Sequence, residues 1–218
     1  MIKLAIFDLD GTLLNTINDL ADSCNYILQK NNFPTHPVDS YKYFVGDGMS
    51  KVIERALPVD ISINPDIVEN LRKEFIEYYK IHSMCKTAPY TGVIDMLKTL
   101  YSMNIKLAVA SNKFIEGTQM LVSQYFSEIN FSSVLGQRTE VPIKPNPQIV
   151  YDIMNETEIK DKNEILYIGD TGIDMQTSKN AGVKGIGVLW GFRSKKELIE
   201  NGAEYIIDKP EEIFELIR

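Results

Sequence analysis

Two carboxylates one residue apart, Asp8 and Asp10, close an apolar run in the N-terminal stretch KLAIFDLDGTLLNT, residues 3–16. Like charges this close, where a buried strand should end, repel unless something positive is held beside them. Three further clusters of reactive groups follow apolar runs or stand before a helix. Ser111, Asn112 and Lys113 come at the end of IKLAVAS; Lys144 precedes Pro145; Gly169 and Asp170 end EILYIGD, with Asp174 four residues on. Carboxylates can ligate a cation or move a proton, and a lysine beside a hydroxyl can hold an anion. Singly, each cluster also has an ordinary reading. Asp10-Gly11-Thr12 fits a turn, Ser111 and Asn112 a helix N-cap, Lys144 a solvated loop cation, and Asp170 to Asp174 a helix start.

The elements that would carry these groups alternate. Apolar runs at 3–7, 105–111, 132–136, 164–170, 184–190 and 204–208 read as buried strands, several of them without polar alternation. Helical patterns at 114–125, 146–156, 173–181, 195–201 and 211–217 fall between or after them. The expectation is an α/β fold, a Rossmann-like parallel sheet covered by helices. Residues 15–85 depart from it, with three successive helical patterns at 16–30, 40–57 and 66–82. They read as an inserted all-helical cap domain, leaving 1–14 and 86–218 as the core domain, with LLNT and MCKTAPYTG as the crossings. In such sheets ligands bind beyond the carboxyl ends of the strands. All four clusters would then share one rim.

With DLDGTL at 8–13, Ser111, Lys144 and GDTGID at 169–174, the chain resembles the haloacid dehalogenase (HAD) superfamily of aspartate-nucleophile phosphohydrolases over its whole length. The helical insertion resembles the small cap of the branch that holds phosphoglycolate phosphatase and β-phosphoglucomutase. FVGDGMSKVIERAL, residues 44–57, and the SNK after the second strand look phosphoglycolate phosphatase-like. The resemblance implies a phosphatase acting on a small phosphorylated metabolite through an aspartyl-phosphate. Asp8 would be the nucleophile and Asp10 the general acid and base. Ser111, Asn112 and Lys144, with Gly11 and Thr12, would bind phosphate, and Asp174 would orient Lys144 or a metal-bound water. It also implies Mg²⁺ held by Asp8, Asp170 and the Asp10 carbonyl. The residue types agree, since hard oxygen donors suit Mg²⁺ and no His or Cys lies near the four motifs. A phosphate dianion would then approach Asp8 only with such a cation present.

Lys113, Gly46, Lys51 and Arg55, together with Lys42, Asp47 and Gly48, are candidates for reading the leaving group. For Lys51 and Arg55 an exposed charged helix face is the competing explanation. Three other functions use similar parts. A β-phosphoglucomutase-type mutase shares the nucleophile and cap but has Glu where Gly169 stands; a dehalogenase lacks the second Asp; a phospho-Asp receiver has no use for the insertion. A net charge of −7 and the lack of a basic tract argue against nucleic-acid binding. Neither a leader nor a membrane span is evident, so a cytoplasmic monomer or homodimer is expected. Cys24 and Cys85 are expected to be free, buried thiols.

Overall fold

The structure, a computed structural model, describes residues 1–217. Its central strand is β1, Leu4–Phe7, whose four residues are fully buried. Leu4 and Ile6 point into one apolar layer and Ala5 and Phe7 into the other, the two-residue period of a strand covered on both faces. Four further long-range strands pair in parallel with β1 or its neighbours: β4 (Lys106–Phe114), β5 (Phe131–Gln137), β6 (Ile165–Gly169) and β7 (Lys184–Val188); β8 (Tyr205–Ile207) closes one edge. The order is β5-β4-β1-β6-β7-β8. From β1 the chain goes first to β4 on one side and later to β6 on the other. The strand order therefore reverses at β1, and a crevice opens beyond its carboxyl end.

Helices cover both faces. α6 (Val93–Ser102) and α7 (Ile115–Tyr125) pack in one layer, α8 (Gln148–Thr157) and α9 (Gly172–Ala181) in the other, and α10 (Lys195–Glu200) lies near the β7 edge. Helix α6 was not among the helices expected from sequence. Its Val93, Met96, Leu97 and Leu100 are buried at helical spacing, but the segment directly follows the turn-rich KTAPYTG. The expected helix at 211–217 is instead a 3₁₀ turn over Pro210–Glu215.

Between β2 (Leu14–Asn15) and β3 (Ala88–Pro89), which pair antiparallel, lie five helices with an apolar core of their own. They are α1 (Ile17–Lys30), α2 (Val38–Phe44), α3 (Met49–Ala56), α4 (Val59–Ser62) and α5 (Pro65–His82). The start of α5 is locally encoded: Asn64 accepts from the Asp66 and Ile67 amides, and Pro65 occupies the first turn. The single helix expected over 40–57 is broken. Gly46 and Gly48 have φ of +119° and +81°, which end α2 and let α3 start in a new direction. Asp19, buried in α1, ties the two crossings together by accepting from the Lys86 amide and from the amide and hydroxyl of Thr87 at 2.8 to 3.0 Å. Both cysteines are free; Cys24 is buried, but Cys85 is exposed, contrary to expectation, because it lies in the return crossing and not on a packed helix face. No helix among the described residues is long and apolar enough to cross a membrane.

Candidate active site

Lys144 organises the crevice. Its buried ammonium donates to Asp8 Oδ1 and Asp174 Oδ1, each at 2.7 Å, and to the Ala110 carbonyl at 2.9 Å. Those are all the protons it has. Asp174 is fixed in turn by the start of α9. Thr171 is the N-cap, and in a capping box its amide and hydroxyl donate to Asp174 Oδ2 at 3.1 and 2.6 Å. Asp174 is thus spent on orienting Lys144. Gly169 is needed for this packing, since a Cβ there would lie 2.3 Å from Asp174 Cβ.

Asp8, Asp170 and Asp174 bring carboxylate oxygens within 4.8 Å of one another, all buried. Burial pushes Asp8 well above the usual carboxylate range; Lys144 opposes this, while Asp174 and Asp170 add to it. Burial and then the Asp174 charge raise Asp170 to about 7, against hydrogen bonds from the Phe192 amide and Thr12. The Lys144 ammonium is opposed by its burial but held well above its usual value by Asp174 and Asp8. One lysine cannot neutralise three buried carboxylates. The surplus negative charge and the all-oxygen donor set fit a hard divalent cation held by Asp8 and Asp170.

The loop after β1 is shaped around Asp170. Thr12 Oγ donates to Asp170 Oδ1 at 3.1 Å and the Phe192 amide to Oδ2 at 2.7 Å. The Thr12 hydroxyl is thereby directed to the carboxylate. Gly11 has φ +96°, and a Cβ on it would stand 2.3 Å from Asp170 Oδ2, so only glycine fits. The Trp190 indole holds the same loop by donating to the Thr12 carbonyl at 2.9 Å.

Asp10 has a different environment from Asp8. Its carboxylate, partly open to the cavity, receives both oxygens' contacts from Lys113 Nζ at 3.0 and 3.1 Å, and the Tyr79 ring of α5 covers that ammonium at 4.5 Å. Burial disfavours the Lys113 charge, yet Asp10 and Tyr79 hold its pKa above the usual lysine value. Ser111 Oγ accepts from the Lys113 amide at 3.2 Å, leaving its proton to donate. The Asn112 side chain is committed: Oδ1 accepts from the Lys144 amide, and Nδ2 donates to the carbonyls of Lys144 and Gly46. The Asn112 side chain therefore has no donor left for a phosphate.

One cavity is lined by Asp8, Asp10, Gly46, Gly48, Ser111, Asn112, Lys113, Lys144, Thr171 and Asp174, closed by the apolar side chains of Leu20, Val45, Met49, Val52 and Phe192. Lys51 and Arg55 are not brought to it. Lys51 pairs with Glu54 on the surface, while Arg55 binds Asp47 and the Phe44 carbonyl; Lys42 pairs with Asp39. The apolar wall carries no signal in the sequence beyond ordinary helical periodicity. Phe192 also serves Asp170 through its backbone amide, to which side-chain identity gives no clue.

The comparisons with known proteins agree with this arrangement. Residues 5–188 match the family model of haloacid dehalogenase-like hydrolases. A phosphoglycolate phosphatase of Vibrio parahaemolyticus is 28% identical over 99% of this chain and 96% of its own length. One of Pseudomonas fluorescens is 30% identical over 94% of this chain and 76% of its own. Among solved structures, a Lactobacillus delbrueckii subsp. bulgaricus protein provisionally named phosphoglycolate phosphatase superposes with a TM-score of 0.91 at 32% identity, covering 99% of this chain and 98% of that one. With its motif residues gathered at the sheet's switch point, the chain belongs to the haloacid dehalogenase-like hydrolase family and is an enzyme of the phosphatase kind, similar to the phosphoglycolate phosphatases.

Proposed function

We propose that the enzyme hydrolyses a small phosphate monoester, of the phosphoglycolate kind, through an aspartyl-phosphate on Asp8, with residues 15–85 acting as a cap over the core. The observation that carries this reading is the separation of two adjacent carboxylates into different environments. Asp8 is buried against Lys144, and Asp10 faces the cavity with Lys113. Carboxylates so divided are suited to divided roles.

Asp8 attacks phosphorus while the bond to the ester oxygen breaks, and Asp10 gives that oxygen its proton. Water then attacks the phosphorus of the acyl phosphate; Asp10 takes the water's proton, the bond to Asp8 breaks, and inorganic phosphate leaves. Lys144 and the Ser111 hydroxyl hold the equatorial phosphoryl oxygens, where charge spreads in the transition state. Asp8, Asp170 and the Asp10 carbonyl would hold Mg²⁺, which would supply the positive charge that lets a dianionic ester approach Asp8. A mutase would share these steps. The tight packing of Gly169 on Asp174, which leaves no room for the side chain that the mutase carries there, favours hydrolysis.

The test is Asp10→Asn with two leaving groups. A phenolate departs with little protonation, so an aryl phosphate should lose less in the first half-reaction than phosphoglycolate. Dephosphorylation then limits turnover, and phosphorylated Asp8 should accumulate as a burst of phenol and a mass increase. Equal losses for both esters with no phosphoenzyme would remove Asp10 from this role.

A further inference from the structure

We infer that Lys113 recognises an acid group on the substrate, so that the site selects a small phosphate ester carrying a carboxylate on the carbon next to the ester oxygen. This rests on the reading of Asp10 as the group beside the departing oxygen. The space beyond Asp10 is walled by Leu20, Val45, Met49, Val52 and Phe192, whose side chains offer no hydrogen bond. A sugar or nucleoside enclosed there would leave several hydroxyl or base groups unpaired, at about 1–3 kcal/mol each. A fragment of one or two carbons would not.

Charge recognition falls to the cations that line the cavity, Lys113 and Lys144. Lys144 holds Asp174 and the Ala110 carbonyl, and its third proton, on Asp8 in the free protein, is the one turned to the phosphoryl oxygens. Lys51 and Arg55 turn away, and Arg193 is engaged with the Val45 carbonyl and Glu197. Lys113 contacts only Asp10 among hydrogen-bond acceptors of the described residues, and the Tyr79 ring holds its ammonium in place. An ester oxygen within reach of Asp10 lies about 3 Å from that carboxylate, and Lys113 Nζ lies 3.0 and 3.1 Å from the same two oxygens. A carboxylate attached one carbon away therefore comes within reach of Nζ. On binding it takes over part of the Lys113 contact and frees Asp10 for the ester oxygen. With Asp10 carrying the proton that it gives to the ester oxygen, Lys113 and the incoming carboxylate pair one to one, whereas an ester with an uncharged alkyl group leaves the Lys113–Asp10 pair as it is.

Binding is measured by calorimetry in the non-turning-over Asp8→Asn protein with Mg²⁺, using phosphoglycolate and ethyl phosphate, which differ in the carboxylate. Phosphoglycolate should bind at least about 10-fold tighter, the scale of one charge-assisted contact. Adding Lys113→Met should abolish the preference, and Lys113→Arg should restore part of it; Lys113→Gln gives the same comparison should the methionine variant fail to fold. With Asp8 intact, Lys113→Met should reduce the kcat/KM ratio of phosphoglycolate to ethyl phosphate about 10-fold or more, mainly through KM. Equal losses for the two esters, or an unchanged binding preference, would overturn the assignment and leave Lys113 as a support for Asp10. Failure of the wild-type enzyme with Mg²⁺ to release phosphate from either ester and from an aryl phosphate would instead refute the phosphatase reading, and the inference with it.

Discussion

Without a divalent cation, stability should fall as pH rises. Asp170 is fully buried, and its folded pKa of about 7 lies above the unfolded value of 3.8. The folded chain therefore holds this proton more tightly than the unfolded chain. The sign follows: the metal-free protein loses stability as pH climbs from about 4 to about 7 and levels off above that. An interval of roughly three pH units corresponds to on the order of 4 kcal/mol, an upper bound because water and relaxation soften the burial. Asp8 is raised in the same direction and adds to the loss. A cation shared by Asp8 and Asp170 would neutralise both, so stabilisation by Mg²⁺ should grow with pH. Between pH 5 and pH 7.5 about 2.5 kcal/mol of the Asp170 contribution is lost, so in thermal denaturation the EDTA-treated enzyme should melt about 5–10 °C lower at the higher pH, at about 2–4 °C per kcal/mol for a chain of this size. Mg²⁺ should recover most of that difference at the higher pH and little at the lower. Asp170→Asn should be less stable throughout, since its amide faces the Thr12 hydroxyl or the Phe192 amide, yet should flatten the pH slope. Equal stabilisation by Mg²⁺ at both pH values would refute the reasoning.

Asp8→Asn should keep its circular dichroism spectrum and lose roughly four orders of magnitude or more in turnover, because an amide is a poor nucleophile and a weaker ligand. Gly11→Ala forces a side chain into a left-handed backbone and against Asp170. It should weaken the Mg²⁺ requirement curve about 10-fold and cost about 1–2 kcal/mol from the backbone alone, read by Mg²⁺ titration of activity and by urea unfolding. Asp19→Ala strands the Thr87 amide and hydroxyl and the Lys86 amide, and should cost about 2–5 kcal/mol in urea unfolding. Lys51→Ala, whose side chain faces Glu54 and solvent, should change kcat/KM by less than about twofold.

The sequence by itself determined the parallel sheet and the four motif clusters. Buried parallel strands must be apolar throughout, so β1, β4 and β6 stand out, and chemistry at their carboxyl ends follows directly in the chain. Capping at Thr171 and Asn64 was written locally in the same way. Tertiary structure decided which charges meet. Lys144 reaches Asp8 across 136 positions and Lys113 reaches Asp10 across 103, separations that no local pattern records. It also decided direction. Lys51 and Arg55 have the spacing of a binding face, but the bend at Gly46 and Gly48 and the packing of α3 turn them to the surface. No helix is expected from the sequence over α6, where the structure buries Val93, Met96, Leu97 and Leu100 against the sheet at helical spacing. Local propensity fixes short-range geometry, whereas the sign and neighbours of a buried charge depend on which elements the fold brings together.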